Sequence, residues 1–355
     1  MPRLETNIVT HSTPPTHWKT RSIWLFLLVL VVVAGSVISL FIGAREISAA
    51  QIIGNLSNIL AAVYDPLSIT ADLRVISEQR IPRTLIAVVV GAAIGVAGAV
   101  IQGHTRNPLA DPGIVGVSAG ATLGVVAFTS VTGIASMAFT SLAAVLGAIG
   151  ATVLVFVLAN VGAGQLNPMT LVLSGAALSA VLSAFTTSLI LSDSGALERM
   201  RFWTIGAVNK GSLETLYILI PAVIIGITIA FLMAPQLNLL NLGDDVAESL
   251  GVDAAKARVA GIALIAFLAA VATAAAGPIS FLGLLAPQIA RSICGADYRW
   301  VLPYAAVIGA ALLLVADMVG RVVAKPGEIE VGIVLAFVGA PVFLFLLWRN
   351  RVVQL

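Results

Sequence analysis

Charge is what this chain has least of. Asp, Glu, Lys and Arg make up 10% of its 355 residues, against about 25% in soluble domains, which excludes a water-soluble globular fold. Cysteine is reduced to Cys294, so an intrachain disulfide is excluded and no metal-ligand spacing exists; the residue reads as small and apolar. The three histidines, His11, His17 and His104, fall in a tail and one inner loop, with no triad or H-E-x-x-H pattern. Gly116-Val117-Ser118-Ala119-Gly120 fits G-x-S-x-G, but it opens an apolar stretch and lacks a His partner, so it reads as helix packing and the chain as no enzyme. A G-x-x-x-x-G-K-[ST] phosphate loop is also missing. If ATP drives this protein, another chain binds it. Net charge is +2 and no basic run interleaves with aromatics, which excludes nucleic acid as a partner.

What remains is apolar. Hydrophobic residues reach 59%, and a bilayer crossing needs roughly 20 of them in succession. Such stretches run over Ile23–Ile42, then about 82–103, 113–132, 137–161, 169–191, 213–234, 257–276, 278–295, 301–323 and 329–348, which makes ten. The first is too long for a signal-peptide core and reads as a retained span. The 32 glycines suit close helix approach in lipid. The expected fold is an all-α polytopic membrane protein with ten transmembrane helices. Residues 1–21 form a polar cytoplasmic tail, expected to be disordered; 22–350 form one transmembrane domain; 351–355 form a C-terminal tail.

An even number of spans puts both ends on one side. Lys19, Arg21, Arg349 and Arg351 flank the terminal spans, and the positive-inside rule makes that side cytoplasmic. The full Lys and Arg count divides almost evenly, so orientation rests on the ends. Residues 43–80 are expected as an outer interfacial or re-entrant piece. Residues 192–212 are expected as an outer headgroup helix around Glu198, Arg199, Arg201, Phe202 and Trp203. Residues 235–256 form the one substantial inner segment. There Asp244, Asp245 and Glu248 favour a helix start, Gly251 breaks the run, and Leu242, Val246 and Leu250 share one face. A short acidic amphipathic helix fits a groove on a partner protein better than an anionic lipid surface.

Three further patterns admit two readings each. QGHTRNPLADPG, residues 102–113, is a proline-broken connection in which Asn107 and Asp111 serve the open ends of helices. It is an ordinary tight turn or a functional loop. Arg80 and Arg83 bracket Pro82, which suits a first helical turn; they snorkel to headgroups or pair with an acidic partner. Asp317 and Arg321 stand four apart on one helix and pair to lower the cost of burying charge, with Arg321 expected to reach outward.

Eight stretches in order carry a resemblance over residues 20 to the C-terminus: RIPRTLIAVVVGAAIGVAGAVIQ, TRNPLADPGIVGVSAGA, RFWTIGAV, LGDDVAESLGV, GPISFLGLLAPQIAR, GADYRWVLP, ADMVGRVV and PGEIEVGIVLAFVGAPVFLFLL. On these the chain resembles the iron-siderophore and vitamin B12 permease family of type II ABC importers. TRNPLADPG and RFW are most similar to its ferric-enterobactin branch. The resemblance implies ten helices, both ends cytoplasmic in a bacterial inner membrane, and a second permease subunit, a non-identical paralogue or a second copy. It also implies two ATPase subunits that carry ATP and Mg, an extracytoplasmic substrate-binding protein, a ferric siderophore as cargo, surrounding membrane lipid, and no cofactor on this chain. Arg80, Arg83 and Arg321 match docking arginines for the binding protein. Asn107 and Leu109 match one cytoplasmic gate, and Pro168 with Met169 the other, although small hydroxylated residues are common there. Residues 240–253, with Leu242, Gly243, Asp244, Asp245, Val246, Glu248, Leu250 and Gly251, match the ATPase-coupling helices. Cobalamin or heme are alternative cargoes within the family. A different class, an ion-coupled secondary transporter, would carry ionisable groups near the midplane, and Asp317 sits towards one face instead.

Overall fold

The computed structural model describes residues 18–43, 45, 47–55, 58–59, 70–134, 136–160, 168–192, 204–209 and 211–348, and the regular structure among them is helical. In chain order the helices are α1 (Trp18–Phe41), α2 (Ala49–Gly54), α3 (Ala71–Val75), α4 (Ile81–Thr105), α5 (Val117–Thr132), α6 (Met137–Asn160), α7 (Pro168–Ser192), α8 (Leu213–Leu240), α9 (Asp244–Ser249), α10 (Ala254–Ala276), α11 (Leu282–Cys294), α12 (Tyr298–Val323) and α13 (Val331–Trp348). Seven are long and apolar enough to cross a bilayer, while α5, α11 and α13 are apolar but shorter.

Four boundaries differ from the sequence expectation. Helix α1 begins at Trp18, inside the supposed tail, and Tyr304 Oη bonds the Arg21 carbonyl at 2.7 Å, which holds that first turn against α12. Pro82 stands in the first turn of α4, as expected, but the helical rod begins before it. A π turn over Ile76–Arg80 joins α3 to α4, so the rod runs on through the proline. Pro82 lacks an N–H and crowds the carbonyl four residues back, and a widened turn absorbs both effects. The stretch expected from residue 113 opens as a 3-10 turn over Pro112–Val115, and α5 begins only after Gly116. Helix α8 continues through Pro221 and Pro235 to Leu240, as membrane helices can when neighbours satisfy the freed groups. The inner segment therefore shrinks to the short connections around α9.

The expected headgroup helix around Glu198, Arg199, Arg201, Phe202 and Trp203, residues 1–17 of the tail, the centre of the 43–80 piece and the C-terminal tail lie outside the described residues.

Helix α4 is the axis of the bundle. Twenty of its 25 residues are buried, and it packs chiefly on α12, then on α10, α11 and α8. The reason is its glycines. A Cβ on Gly95 would stand 2.2 Å from the Ala305 carbonyl oxygen, and one on Gly98 would stand 1.9 Å from that of Gly283. Backbone therefore meets backbone, and dispersion and close fit replace the hydrophobic drive that lipid removes. Helix α1, by contrast, exposes Phe26, Val31 and Val33, as a helix facing lipid or another subunit does.

Candidate functional site

Charged side chains gather at the two ends of α4. At its start, Arg80, Arg83 and Arg321 are 4%, 9% and 1% exposed. Helix α1 ends with carbonyls that lack intrahelical partners, as every helix does, and two of these arginines satisfy them. Arg80 donates to the carbonyls of Leu40 at 2.7 Å and Arg45 at 2.6 Å. Arg321 donates to those of Ser39 at 3.0 Å and Ile42 at 2.8 Å. Cations also suit the negative end of a helix dipole.

Asp317 holds the rest together. Its Oδ1 accepts from Arg83 Nε at 2.8 Å and its Oδ2 from Arg321 Nη2 at 2.7 Å. Arg83 Nη1 continues to Glu328 at 2.5 Å, and Glu328 is 28% exposed. The expectation that Arg321 reaches freely outward is corrected: the open carbonyls of α1 and the Asp317 carboxylate draw it inward. Glu328 was not picked out from the sequence, because it lies beyond α12 and its partner is Arg83, far away in the chain.

At the other end of α4, Arg106 takes a left-handed backbone (φ 48°) and turns the chain into the loop 107–111. Asn107 Oδ1 accepts from Leu109 N–H at 2.9 Å, closing an Asx turn, and Leu109 is half-buried. Asp111 Oδ1 accepts from Gly113 N–H at 2.8 Å, while its buried Oδ2 closes no hydrogen bond. Burial pushes the Asp111 carboxyl up to about 6, against the smaller opposing effect of the Gly113 N–H. Met169, in the first turn of α7, is 72% exposed, and Pro168 opens that helix, where a missing N–H costs nothing. Helix α7 and the loop region meet where Gly175 lies against the Ile114 carbonyl.

Helix α9 starts from Gly243 at φ 119°, a conformation side-chain-bearing residues avoid. Leu242, Val246 and Leu250 are 64%, 42% and 59% exposed, whereas Ala247 is fully buried against Leu240, Ala254 and Ala257. Asp245, Glu248 and Gly251 are exposed around that apolar face. Asp244 is turned back instead: Arg106 and Arg258 both pair with it, the latter at 2.6 Å. Neither arginine carried a signal in the sequence beyond its charge.

A hydroxyl-lined cleft of about 440 Å³ opens between α5 and α7, with Ser118, Thr122, Ser179, Ser183, Thr186 and Thr187 on its walls and no ionisable side chain among the described residues that line it. Ser and Thr at helical spacing read as packing residues, which hid this cleft from sequence reasoning. Among the described residues no group of three or more His, Cys, Asp or Glu could hold a metal.

Long apolar helices, a buried glycine-packed axis, an exposed apolar stripe at one end and an arginine cluster at the other define a multi-pass membrane protein. The FecCD transport family model matches residues 28–349. The chain is 40% identical over 332 residues to the ferric enterobactin transport system permease protein FepD of Escherichia coli (strain K12), covering 93% of this chain and 96% of that one. It is 38% identical over 329 residues to the Fe(3+)-citrate import system permease protein YfmD of Bacillus subtilis (strain 168), covering 92% and 95%. A solved metal-chelate type ABC transporter in an inward-facing conformation superposes with a TM-score of 0.80 at 31% identity, covering 92% of this chain and 99% of that one. The chain belongs to the FecCD transport family. It is a permease subunit of an ABC importer complex, multi-pass in a bacterial inner membrane, and ATP hydrolysis resides on a separate subunit.

Proposed function

We propose that this permease carries a ferric siderophore from a substrate-binding protein into the cytoplasm. The observation that carries the reading is the 40% identity, over nearly the whole of both chains, to a ferric enterobactin permease. In this proposal seven long and three shorter apolar helices make ten spans, with both termini cytoplasmic. Two ATPase subunits carry ATP and Mg, and a second permease subunit, a paralogue or another copy, completes the path.

The exposed stripe Leu242, Val246 and Leu250, flanked by Asp245 and Glu248, is the surface that enters the ATPase groove. Gly243 and Gly251 set the angle of its short helix, and Asp244 anchors it to the membrane domain. Asn107 with Leu109, and Pro168 with Met169, form the two parts of the cytoplasmic gate. Arg80, Arg83 and Arg321 form the docking cluster for carboxylates of the binding protein. Since all three are internally engaged, a docked carboxylate enters at the edge of Arg83 that Glu328 occupies, and Asp317 stays as the structural partner of Arg321. The hydroxyl-lined cleft supplies weak, uncharged contacts along the route, which suits release of a large chelate.

The test is uptake of radiolabelled ferric enterobactin, ferrichrome, hemin and cobalamin in cells that contain this permease with its own partner subunits. Uptake of a ferric siderophore alone supports the reading. Uptake of cobalamin or hemin alone reassigns the cargo, and uptake that persists with a hydrolysis-dead ATPase subunit rejects the ATP-driven mechanism.

A further inference from the structure

Among the described residues one buried cation has no carboxylate to neutralise it, only the C-terminal end of its own helix. Arg291 lies in the last turn of α11, is 2% exposed, and belongs to none of the ion pairs among the described residues. Its Nη2 donates to Gln102 Oε1 and lies 3.5 Å from Gln288 Oε1. Its Nε and Nη1 close no hydrogen bond. The Tyr298 hydroxyl stands between the Arg291 guanidinium and Asn241, near enough to interact with both, but it reaches neither with hydrogen-bond geometry, and Asn241 Oδ1 closes no hydrogen bond either. Buried polar groups are nearly always paired, and leaving them open is costly.

The outer members of this cluster, unlike the middle, are firmly tied. Gln102 Nε2 donates to the Ala110 carbonyl in the gate loop at 3.1 Å and reaches those of Gly283 and Leu284 at 3.3 and 3.4 Å. Asn241 caps α8 and directly precedes Leu242. One turn back, Asn238 accepts from Tyr298 N–H at 2.8 Å and donates to Asp297 at 2.7 Å. A chain of neighbours therefore runs from the coupling helix through Asn241, Tyr298, Arg291 and Gln102 to Ala110.

We propose that Arg291 is a positioning residue that passes movement of the coupling helix α9 to the gate loop 107–111, by closing and opening its contact with Tyr298. The inference rests on the permease reading above. The polar centre held open here and one closed by a small shift of Asn241 are two discrete arrangements, which is what a packed interior needs to transmit a movement rather than absorb it.

The test uses the assembled complex with its ATPase subunits in proteoliposomes, the binding protein, and radiolabelled ferric enterobactin as probe. Arg291→Gln and Tyr298→Phe are expected to keep subunit stoichiometry and ATP hydrolysis within about twofold, while substrate moved per ATP falls at least tenfold. Arg291→Lys restores part of it. A plug that merely fills space predicts instead a silent Tyr298→Phe, with hydrolysis and transport falling in parallel in Arg291→Gln, and that pattern overturns the proposal. Should Arg291→Gln fail to assemble, Tyr298→Phe decides, because it removes a single oxygen; an unchanged ratio then rejects the relay. Wild-type complex runs alongside: if it moves no ferric enterobactin with ATP, the siderophore reading fails and not the relay, and the ratio is then read with the cargo that the wild type does move.

Discussion

Arg106, at the end of α4, and Asp244, in the first turn of α9, form an ion pair across 138 positions of sequence. The same arginine donates from Nε to the Leu240 carbonyl at 2.8 Å. The end of the bundle's axis thus holds the start of α9 and the end of α8 together, and Arg258 completes the grip on Asp244. Asp244 is 35% exposed, so solvent screening limits each pair to about 0–1 kcal/mol of stability. Asp244→Asn is therefore expected to leave the melting midpoint of the purified permease nearly unchanged while lowering transport per ATP several-fold. A variant that melts earlier and transports normally would show that the pair is structural.

Gly243 sits at φ 119°, and proline fixes φ near −65°. Gly243→Pro is expected to misdirect α9, so that ATPase subunits copurify poorly or hydrolyse ATP without transport. Normal coupling in this variant would refute the role of α9 as the transmission helix.

Asp317 neutralises Arg83 and Arg321 at once. Removing one partner of a buried ion pair costs about 3–5 kcal/mol, and here two cations lose theirs, with only Arg83 keeping Glu328. Asp317→Ala is expected to abolish accumulation of folded protein, measured as monodisperse yield in detergent. Glu328→Gln removes a partner that is 28% exposed and is expected to lower that yield by less than half.

Gly98 has the Gly283 backbone within 1.9 Å of where its Cβ would stand, whereas Gly150 on α6 has nothing within 4 Å. Gly98→Ala must push α4 off α11, so thermal stability in detergent should fall sharply. Gly150→Ala should stay within about 1 kcal/mol of the parent. Equal behaviour of the two would contradict the backbone-to-backbone packing.

Asp111 titrates at about 6 in the fold, above its ordinary 3.8. A raised acid contributes stability below its unfolded value and loses it as pH rises through the folded one. Stability from this group should fall between pH 4 and 6 and level off above. Asp111→Asn keeps the acceptor for Gly113 and removes the charge. It is expected to raise stability at pH 7.5 by up to about 3 kcal/mol for a shift of this size, read as a higher melting midpoint, and to leave it nearly unchanged at pH 4. An Asn variant no more stable at pH 7.5 would show that the carboxylate is solvated.

Local signals in the sequence were read well where one segment carried them. The apolar runs gave helices because hydrophobicity and length suffice, and Leu242, Val246 and Leu250 are all exposed, although only Val246 lies within α9 itself. The boundary at Pro235 was misread, and the turns that precede Pro82 were missed, since proline stops helices in water but is tolerated when neighbours satisfy the freed carbonyls. The direction of Arg321 was misread for another reason: its acceptors, the carbonyls of Ser39 and Ile42, lie at and just beyond the end of a helix nearly 300 positions earlier. The same holds for Arg106 with Asp244 and for Arg83 with Glu328. Contacts made by folding leave no periodic trace.

The glycine contact between α4 and α12 has a mechanical consequence. Where Gly95 meets the Ala305 carbonyl, no layer of side chains lies between the two helices to rotate, shear or repack. They must move as one body, and any alternation between the two faces of the membrane has to come from helices pivoting around this fused pair, with α4 as a strut of fixed length between the two charged ends.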